Sequence, residues 1–382
     1  MPRTKKIFIS DVHMGAAGSA SPPHPYGWLN ANVPKLEGFL NEVLDAPDVS
    51  ELVILGDLFD KWVLPPAVSP VVTFQDICDA PQNKGIVEAL RQLSAKRDIV
   101  VSYVPGNHDM GTSLPDLSEA RDFMEQQFPG LHYISDHESP GGVYQSDKLA
   151  AEHGNRYCLF NAVDMVSNPA SFLPIGYFMS RVEAYKVARH GTGTDYHQIF
   201  DDFVHELMNS ENLVLDIFMA LVDDAGLRSS DTINTTGLPG FPDSLTIEAV
   251  GSMYKDLAHN WERGNKKINY ITATLGDVGD LSLAADIMYF SIFGSAHNVV
   301  VFGHTHEATM KKHYLLGLVP QNLDAHVDIP CRAIYANSGT WVDTGKFCTY
   351  VETEKDEDLG RHSVRIWSYP DKVLLQKGHV NL

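Results

Sequence analysis

Short strings of metal-binding side chains punctuate this chain, and each falls directly behind an apolar run. Asp11-Val12-His13 follows Ile7-Phe8-Ile9, and Gly56-Asp57 follows Leu52-Val53-Ile54-Leu55. Gly106-Asn107-His108-Asp109 and His153-Gly154 close the runs over 99–104 and 149–152. The steps from Asp11 to Asp57, Asn107 and His153 are nearly equal, each with room for one strand–helix–strand unit and its loops. Such a chain alternates strand and helix and gathers polar side chains at the C-terminal ends of its strands, where open α/β sheets hold ligands.

Strands are expected over 6–10, 51–55, 99–104 and 149–152. Helices are expected over 34–44 with Pro34 at the start, over 84–96 with Ile86, Val87, Leu90 and Leu93 on one face, and over 118–128. A fifth string, Gly303-His304-Thr305-His306, comes only after a much longer step and follows an expected strand over 299–302. The intervening stretch reads as helical. Phe200, Phe203, Val204, Leu207 and Met208 mark one amphipathic face, 211–222 is strongly apolar, and 244–263 is expected to be a long helix capped by Asp243 or Ser244. Residues 160–290 are therefore expected to form an α-helical insertion over the site, with 1–159 and 291–382 as the catalytic domain. The tail predicts strands over 333–336, 347–352 and 363–368, with the acidic stretch 352–358 as a solvated turn.

Asp11 and His13, like His304 and His306, stand at i and i+2, positions that share a face in an extended segment. With Asp57, Asn107 and His153 they make seven plausible ligands, too few for two separate saturated sites but enough for two adjacent metals sharing one carboxylate. Such a pair hydrolyses phosphate esters, with a hydroxide bridging the metals as the expected nucleophile in an in-line attack on phosphorus. Asp57 is the natural bridge. Asp11, His13 and His306 would complete one metal, and Asn107, His153 and His304 the other. Mixed nitrogen and oxygen ligation suits Mn, with Fe or Zn as alternatives, more than Ca or Mg. His108 is placed to protonate the leaving oxygen, and Asp109 to orient its ring. Asp60 reads equally as a neighbour of Asp57 or as a surface carboxylate.

Charge narrows the partners. The net charge of −20 argues against non-specific binding to nucleic acid or anionic lipid. A small phosphorylated substrate, nucleotide- or lipid-linked among the options, is the expected partner. Cys78, Cys158, Cys331 and Cys348 lie far apart with no CxxC, which argues for a reducing compartment and against a structural zinc knuckle. The apolar run behind the basic start is too short for a signal peptide, and no stretch reaches the ~18 apolar residues of a spanning helix. The expected location is cytoplasmic.

Other strings carry less. Gly191-Thr192-Gly193-Thr194-Asp195, near Arg181, Lys186, Arg189 and His190, reads better as an interhelical loop than as a phosphate cradle, lacking the strand–turn–helix context. Gly276-Asp277-Val278-Gly279-Asp280 reads as a helix-start turn. The apolar run from Phe172 to Met179 reads as core packing before pocket lining. His24, His132, His137 and His297 are expected to be exposed or hydrogen-bonded rather than ligands.

In this order the motifs closely resemble the calcineurin-like metallophosphoesterase superfamily, over residues 5–155 and 297–345. Asn337-Ser338-Gly339-Thr340-Trp341 resembles the turn after that superfamily's last histidine motif. The resemblance implies an α+β fold of four layers, α/β/β/α: a β-sandwich flanked by helices, with a dimetal site at one edge. The ligand roles assigned above match its pattern position by position. Leu55-Gly56-Asp57-Leu58-Phe59-Asp60-Lys61-Trp62 and the placement of His153-Gly154 resemble the UDP-2,3-diacylglucosamine hydrolase branch. That branch, however, typically has Arg where this chain has His108, and it lacks so large an insertion. The expectation is a metal-dependent phosphoesterase acting on a phosphomonoester, phosphodiester or pyrophosphate. The alternatives are a UDP-2,3-diacylglucosamine-type pyrophosphate hydrolase and a non-catalytic interaction module on the same fold.

Overall fold

The apolar runs that precede the motifs become the inner strands of two packed sheets. The computed structural model describes residues 3–21, 23–110, 117–134, 142–193, 212–263, 267–290, 296–314, 330–342 and 345–382. In the larger sheet β1 (Lys5–Ile9), β2 (Val49–Leu55), β3 (Val100–Val104) and β4 (Leu131–Tyr133) run parallel. Antiparallel β12 (Cys348–Asp356), β13 (Arg361–Tyr369) and β14 (Leu374–Asn381) extend it beyond β1, giving the order β14-β13-β12-β1-β2-β3-β4. The smaller sheet has the order β10-β11-β9-β6-β5, from β5 (Tyr144–Ser146), β6 (Leu149–Glu152), β9 (Val299–Phe302), β10 (Thr309–His313) and β11 (Ala333–Asn337). A short hairpin joins β7 (Thr232–Asn234) to β8 (Ser244–Thr246).

Alternation along the strands assigns the layers. Ile7, Ile9, Leu52 and Ile54 face the outer helices α1 (Val33–Asp45) and α3 (Lys84–Ala95), against Leu36, Phe39, Leu40, Ile86 and Leu90. Helices α2 (Phe74–Cys78) and α4 (Leu117–Gln127) flank the same face, with Phe74, Ile77 and Met124 in its core. The opposite residues, Phe8, Val53 and Leu55, meet Val299, Val301 and Ala336 between the sheets. Ala150, Val300, Phe302 and Tyr335 turn outward from the smaller sheet onto the middle helices, against Tyr177, Phe178, Ile217, Phe218, Val250 and Leu281. These helices are α5 (Ile175–His190), α6 (Leu213–Asp224), α7 (Ile247–Tyr254), α8 (Leu257–Arg263), α9 (Tyr270–Asp277) and α10 (Ser282–Tyr289). The result is the four-layer α/β/β/α arrangement. Strands buried on both faces explain why the runs read as continuously apolar.

Two expectations need correction. Residues 244–263 are not one helix: 244–246 form β8, and Thr246 caps α7 by accepting from the Ala249 amide at 3.1 Å. The acidic stretch 352–358 is mostly strand. Residues 352–356 belong to β12, and only 357–360 turn. Arg365 on β13 reaches Glu352 and Glu354 at 2.7 and 3.0 Å, so a cross-strand cation offsets the acids. The face marked by Phe200 to Met208 lies outside the described residues. None of the four cysteines is in a disulfide. Among the described residues no helix is long and apolar enough to cross a membrane.

Candidate metal centre

The motif strings meet beyond the C-terminal ends of β1, β2, β3, β6 and β9. Their convergence does not come from extended backbone. β1 stops at Ile9 and β9 at Phe302, and Asp11, His13, Asp57, His304 and His306 have φ of 54°, 55°, 52°, 72° and 58°. Each non-glycine residue in this left-handed region costs on the order of 1–2 kcal/mol. The surrounding structure holds them there, a pattern that marks functional sites. The amides of Val12 and His13 both donate to the Asp57 carbonyl, at 2.9 and 2.8 Å, so the first two loops run locked together. The second and third loops touch directly: a Cβ on Gly106 would lie 2.2 Å from Asp57 Oδ1, and one on Gly56 2.6 Å from Gly106 Cα. Only glycine permits that approach.

Two groups of donors result. Asp11, His13 and His306 form one, with Asp11 Oδ1 to His306 Nε2 at 3.2 Å and His13 Nε2 to His306 Nε2 at 3.3 Å. Asp57, His153 and His304 form the other, with Asp57 Oδ2 to His153 Nε2 at 3.2 Å and His304 Nδ1 to His153 Nε2 at 3.2 Å. Asn107 joins the second through Oδ1, 3.0 Å from His153 Nε2. Asp57 Oδ2 also lies 3.7 Å from His13 Nε2, between the two groups. All seven sequence-predicted ligands are thus brought together.

The donor chemistry fits divalent cations. His153 Nδ1 donates to the Leu55 carbonyl at 2.7 Å, His13 Nδ1 meets Asp60 Oδ2 at 3.1 Å, and His306 Nδ1 lies 3.4 Å from Thr340 Oγ1. With their outer nitrogens engaged, these rings turn Nε2 inward, the orientation metal-ligating histidines need. Inward nitrogens then oppose one another at 3.2–3.3 Å. A shared proton can relieve such a pair; a cation can replace it. Burial opposes charge on His153, yet the adjacent Asp57 carboxylate lifts it to about 9. Burial and His153 together push His304 down to about 3. Burial alone would raise Asp11, but His306 holds it at about 2. Burial likewise opposes Asp57, which His153 and His108 keep well below the usual carboxylate range. Both carboxylates are ionised, as ligands must be.

His108 lines the cavity beside this cluster, its amide donating to Asp57 Oδ1 at 2.8 Å. The ring's partner is Asp60, at 3.1 Å from Nδ1, and not Asp109. Asp109 points back into the protein and accepts from the amides of Asp57, Phe59 and Gly106 at 2.6, 2.8 and 2.8 Å. It ties the second motif loop to the third, and burial together with Asp57 pushes it up to about 6. Asp60 is neither a surface carboxylate nor bonded to Asp57. It is buried and holds both His13 and His108. Burial works against charge on His108, but Asp60 and Asp57 raise its pKa and favour the proton-donating form.

A cavity of about 440 Å³ opens from the centre. Trp28, Met179, Glu183, Asp277 and Lys346 also line it; Trp28 packs on His13 at 4.7 Å between ring centroids, and Asp277 approaches His304. Asn161 and Asp277 were not anticipated. Asp277 ends α9, accepts from the Phe160 amide at 3.0 Å and from Asn161 Nδ2 at 3.2 Å, and burial raises it to about 8. Asn161 in turn approaches Asn107 Nδ2 at 3.5 Å. The string from Gly276 to Asp280 is therefore a helix end followed by a helix start, with Asp280 accepting from the Ser282 amide at 2.9 Å. Cys158, Asp277 and His304 also converge, but burial holds the Cys158 thiol well above its ordinary value.

Of the string that starts at Gly191, Thr194 and Asp195 lie outside the described residues and Gly193 lines the cavity, while the nearby basic side chains are engaged elsewhere. Arg181 bonds backbone carbonyls, Lys186 pairs with Asp224, and Arg189 donates to Tyr185. In the run from Phe172 to Met179, Leu173, Ile175, Tyr177 and Phe178 are core, whereas Gly176 and Met179 reach the cavity. His24 and His132 are exposed, His297 packs on Tyr289, and His137 lies outside the described residues.

A helix-flanked double sheet with an Asp/His cluster at the strand ends defines a phosphoesterase class of fold. A model of the calcineurin-like phosphoesterase family matches residues 4–308, and the chain belongs to that family. Among solved structures the chain is similar to the Pseudomonas putida nuclease MPE, at 17% identity and a TM-score of 0.23, over 39% of this chain and 53% of that one. The match spans about half the length of that nuclease. The chain is also similar to GAP50 of Plasmodium, the anchor in the inner membrane complex, at 10% identity and a TM-score of 0.34, over 99% of this chain and 89% of that one. Among curated proteins no relative matches the sequence.

Proposed function

We propose that the protein is a hydrolase of phosphoester bonds with a dinuclear metal centre. The observation that carries this is the inward convergence of Asp11, Asp57 and four histidines whose outer ring nitrogens are largely engaged elsewhere. Asp57 would be shared between two metals; Asp11, His13 and His306 would hold one, and Asn107, His153 and His304 the other. Mn suits this donor set, with Fe or Zn as alternatives. When bound, the cation pair supplies an activated water and neutralises charge on the phosphoryl oxygens. His108 has Nδ1 tied to Asp60, so Nε2 is the nitrogen that gives its proton to the leaving oxygen. Residues 160–290 act as the cover, contributing Asn161, Met179 and Asp277 to the cavity.

The test is the metal content of the purified protein, paired with hydrolysis of p-nitrophenyl phosphate and bis-p-nitrophenyl phosphate after Mn addition. About two metals per chain with turnover is the expected result. Asp57→Asn should lose both bound metal and turnover; full activity in that variant would sink the scheme. No metal and no turnover in the wild type would promote a non-catalytic interaction module, although scaffolds of that kind usually lose ligands and this sequence keeps all seven candidates.

A further inference from the structure

We propose that Asn161 is a positioning residue of the metal centre: by accepting the amino group of Asn107 it keeps the Asn107 carbonyl oxygen turned toward His153, and the middle helices hold Asn161 in place to do so. This rests on the dinuclear reading above and adds a residue behind its second metal site. The oxygen and nitrogen of an asparagine amide are nearly equal in size, so packing does not tell them apart and hydrogen-bond partners must. A cation needs the oxygen; a half-turn of the amide would aim N–H donors at it instead. In this protein Asn107 Oδ1 lies 3.0 Å from His153 Nε2, and Asn107 Nδ2 donates to Asn161 Oδ1 at 3.5 Å. The Asn161 oxygen matches the amino group of Asn107 and would oppose its carbonyl if the amide turned over.

Asn161 has the same two-fold choice, and Asp277 makes it. One oxygen of Asp277 accepts from Asn161 Nδ2 at 3.2 Å, which leaves Asn161 Oδ1 for Asn107. The other accepts from the Phe160 amide at 3.0 Å, so one side chain fixes both the backbone and the amide of this segment. The Leu159 amide donates to Ala273 on α9 at 3.3 Å, and the Gly176 amide on α5 donates to the Phe160 carbonyl at 2.9 Å. The start of α5 comes so near that a Cβ on Gly176 would lie 2.2 Å from Asn161 Oδ1. The Asn161 carbonyl accepts from Asn155 Nδ2 at 3.3 Å, which ties it to the loop behind His153. A chain of side chains, Asp277 to Asn161 to Asn107, therefore runs from the end of α9 to a candidate ligand. Partners that orient a ligand in this way are worth about 10–100-fold in metal affinity. Seating of the middle helices and retention of one metal are thereby linked.

The experiment titrates the metal-free full chain with Mn and follows free Mn by electron paramagnetic resonance, with no turnover needed. The wild type should take up about two Mn. Asn161→Leu keeps the shape of the side chain and removes the acceptor; one of the two Mn should then bind about 10–100-fold more weakly. In an Asn107→Ala background, with no amide left to orient, Asn161→Leu should cause no further loss, the signature of a residue acting through another. Exchanging the pair, Asn161→Asp with Asp277→Asn, rebuilds the chain: the relocated carboxylate accepts from Asn107 and from the relocated amide, whose oxygen still accepts from Phe160. This exchange should bind both Mn nearly as the wild type does. Unchanged binding in Asn161→Leu, an equal further loss in the Asn107→Ala background, or an exchange no better than Asn161→Leu would each overturn the proposal and leave the dinuclear reading intact. Loss of both Mn in Asn161→Leu would mark a role in folding and overturn it too. A wild type that binds no Mn would overturn the dinuclear reading and this proposal with it.

Discussion

Asp60 holds two histidines with different tasks. Its Oδ2 meets His13 Nδ1 and its Oδ1 meets His108 Nδ1, while Oδ1 also accepts from the amides of Trp62 and Val63. Burial would raise this carboxyl, but His108 and His13 hold it far below the ordinary carboxylate value. Asp60→Asn keeps an acceptor for the two amides and removes the charge that orients both rings. Turnover should fall about 10–100-fold, with weakened metal retention at the His13 side. A pH–rate profile would show the additional loss of the His108 proton donor at lower pH than in the wild type. The seven candidate ligands that the fold brings together were legible, because residue type, spacing and order name them. The exchange of roles between Asp60 and Asp109 was not. Both follow a motif closely, and which one meets the imidazole depends on where two loop backbones turn.

At the scale of elements, the Arg181 side chain fastens the segment after Asp60 to α5. Leu64-Pro65-Pro66 presents carbonyls in irregular backbone, and its prolines have no amide to contribute to a ladder. Arg181 on α5 satisfies Leu64, Pro65, Pro66 and Val68 at 2.6, 3.1, 3.1 and 2.7 Å, and adds Asn234 at 3.3 Å. The fork geometry of guanidinium supplies this many donors; lysine cannot. Arg181→Met should cost about 3–5 kcal/mol, since the Leu64 and Val68 carbonyls lose a partner and the Tyr177 hydroxyl loses its donor. The check is a lower urea midpoint at unchanged slope. The strands before the motifs and helices α1, α3 and α4 were legible within a residue or two, because burial on one face imposes a period. β14 was not expected: its exposed Leu374 and Leu375 show no alternation into a core, and it lies at the sheet edge.

Over the whole molecule, Asp277 couples the middle helices to the site and to stability. Folded, burial keeps its proton up to about 8; unfolded, an aspartate ionises near about 4. Folding therefore retains a proton between these values. The contribution of this group is fully present at low pH and is lost as pH rises from about 4 to about 8. Asp277→Asn, which still accepts from the Phe160 amide, should gain stability relative to the wild type across that window. Melting temperatures of both metal-free proteins at several pH values would show it; a difference that does not change with pH would contradict it.

Sequence by itself named the candidate ligand set, its order, the strands that deliver it and, through resemblance, the four-layer fold. Metal chemistry needs particular residue types, and buried strands need continuous apolar runs. Tertiary structure decided which acid holds which histidine and replaced an extended backbone with left-handed turns at the ligands. It also seated the middle helices in a common core with the smaller sheet, bringing Asn161, Glu183 and Asp277 to the cavity. Periodicity reports that a face is buried and never against what. Contacts such as Arg181 with Leu64, Asp277 with Phe160, and Asp11 with the His304 amide join residues far apart in the chain, and only the packed molecule sets them.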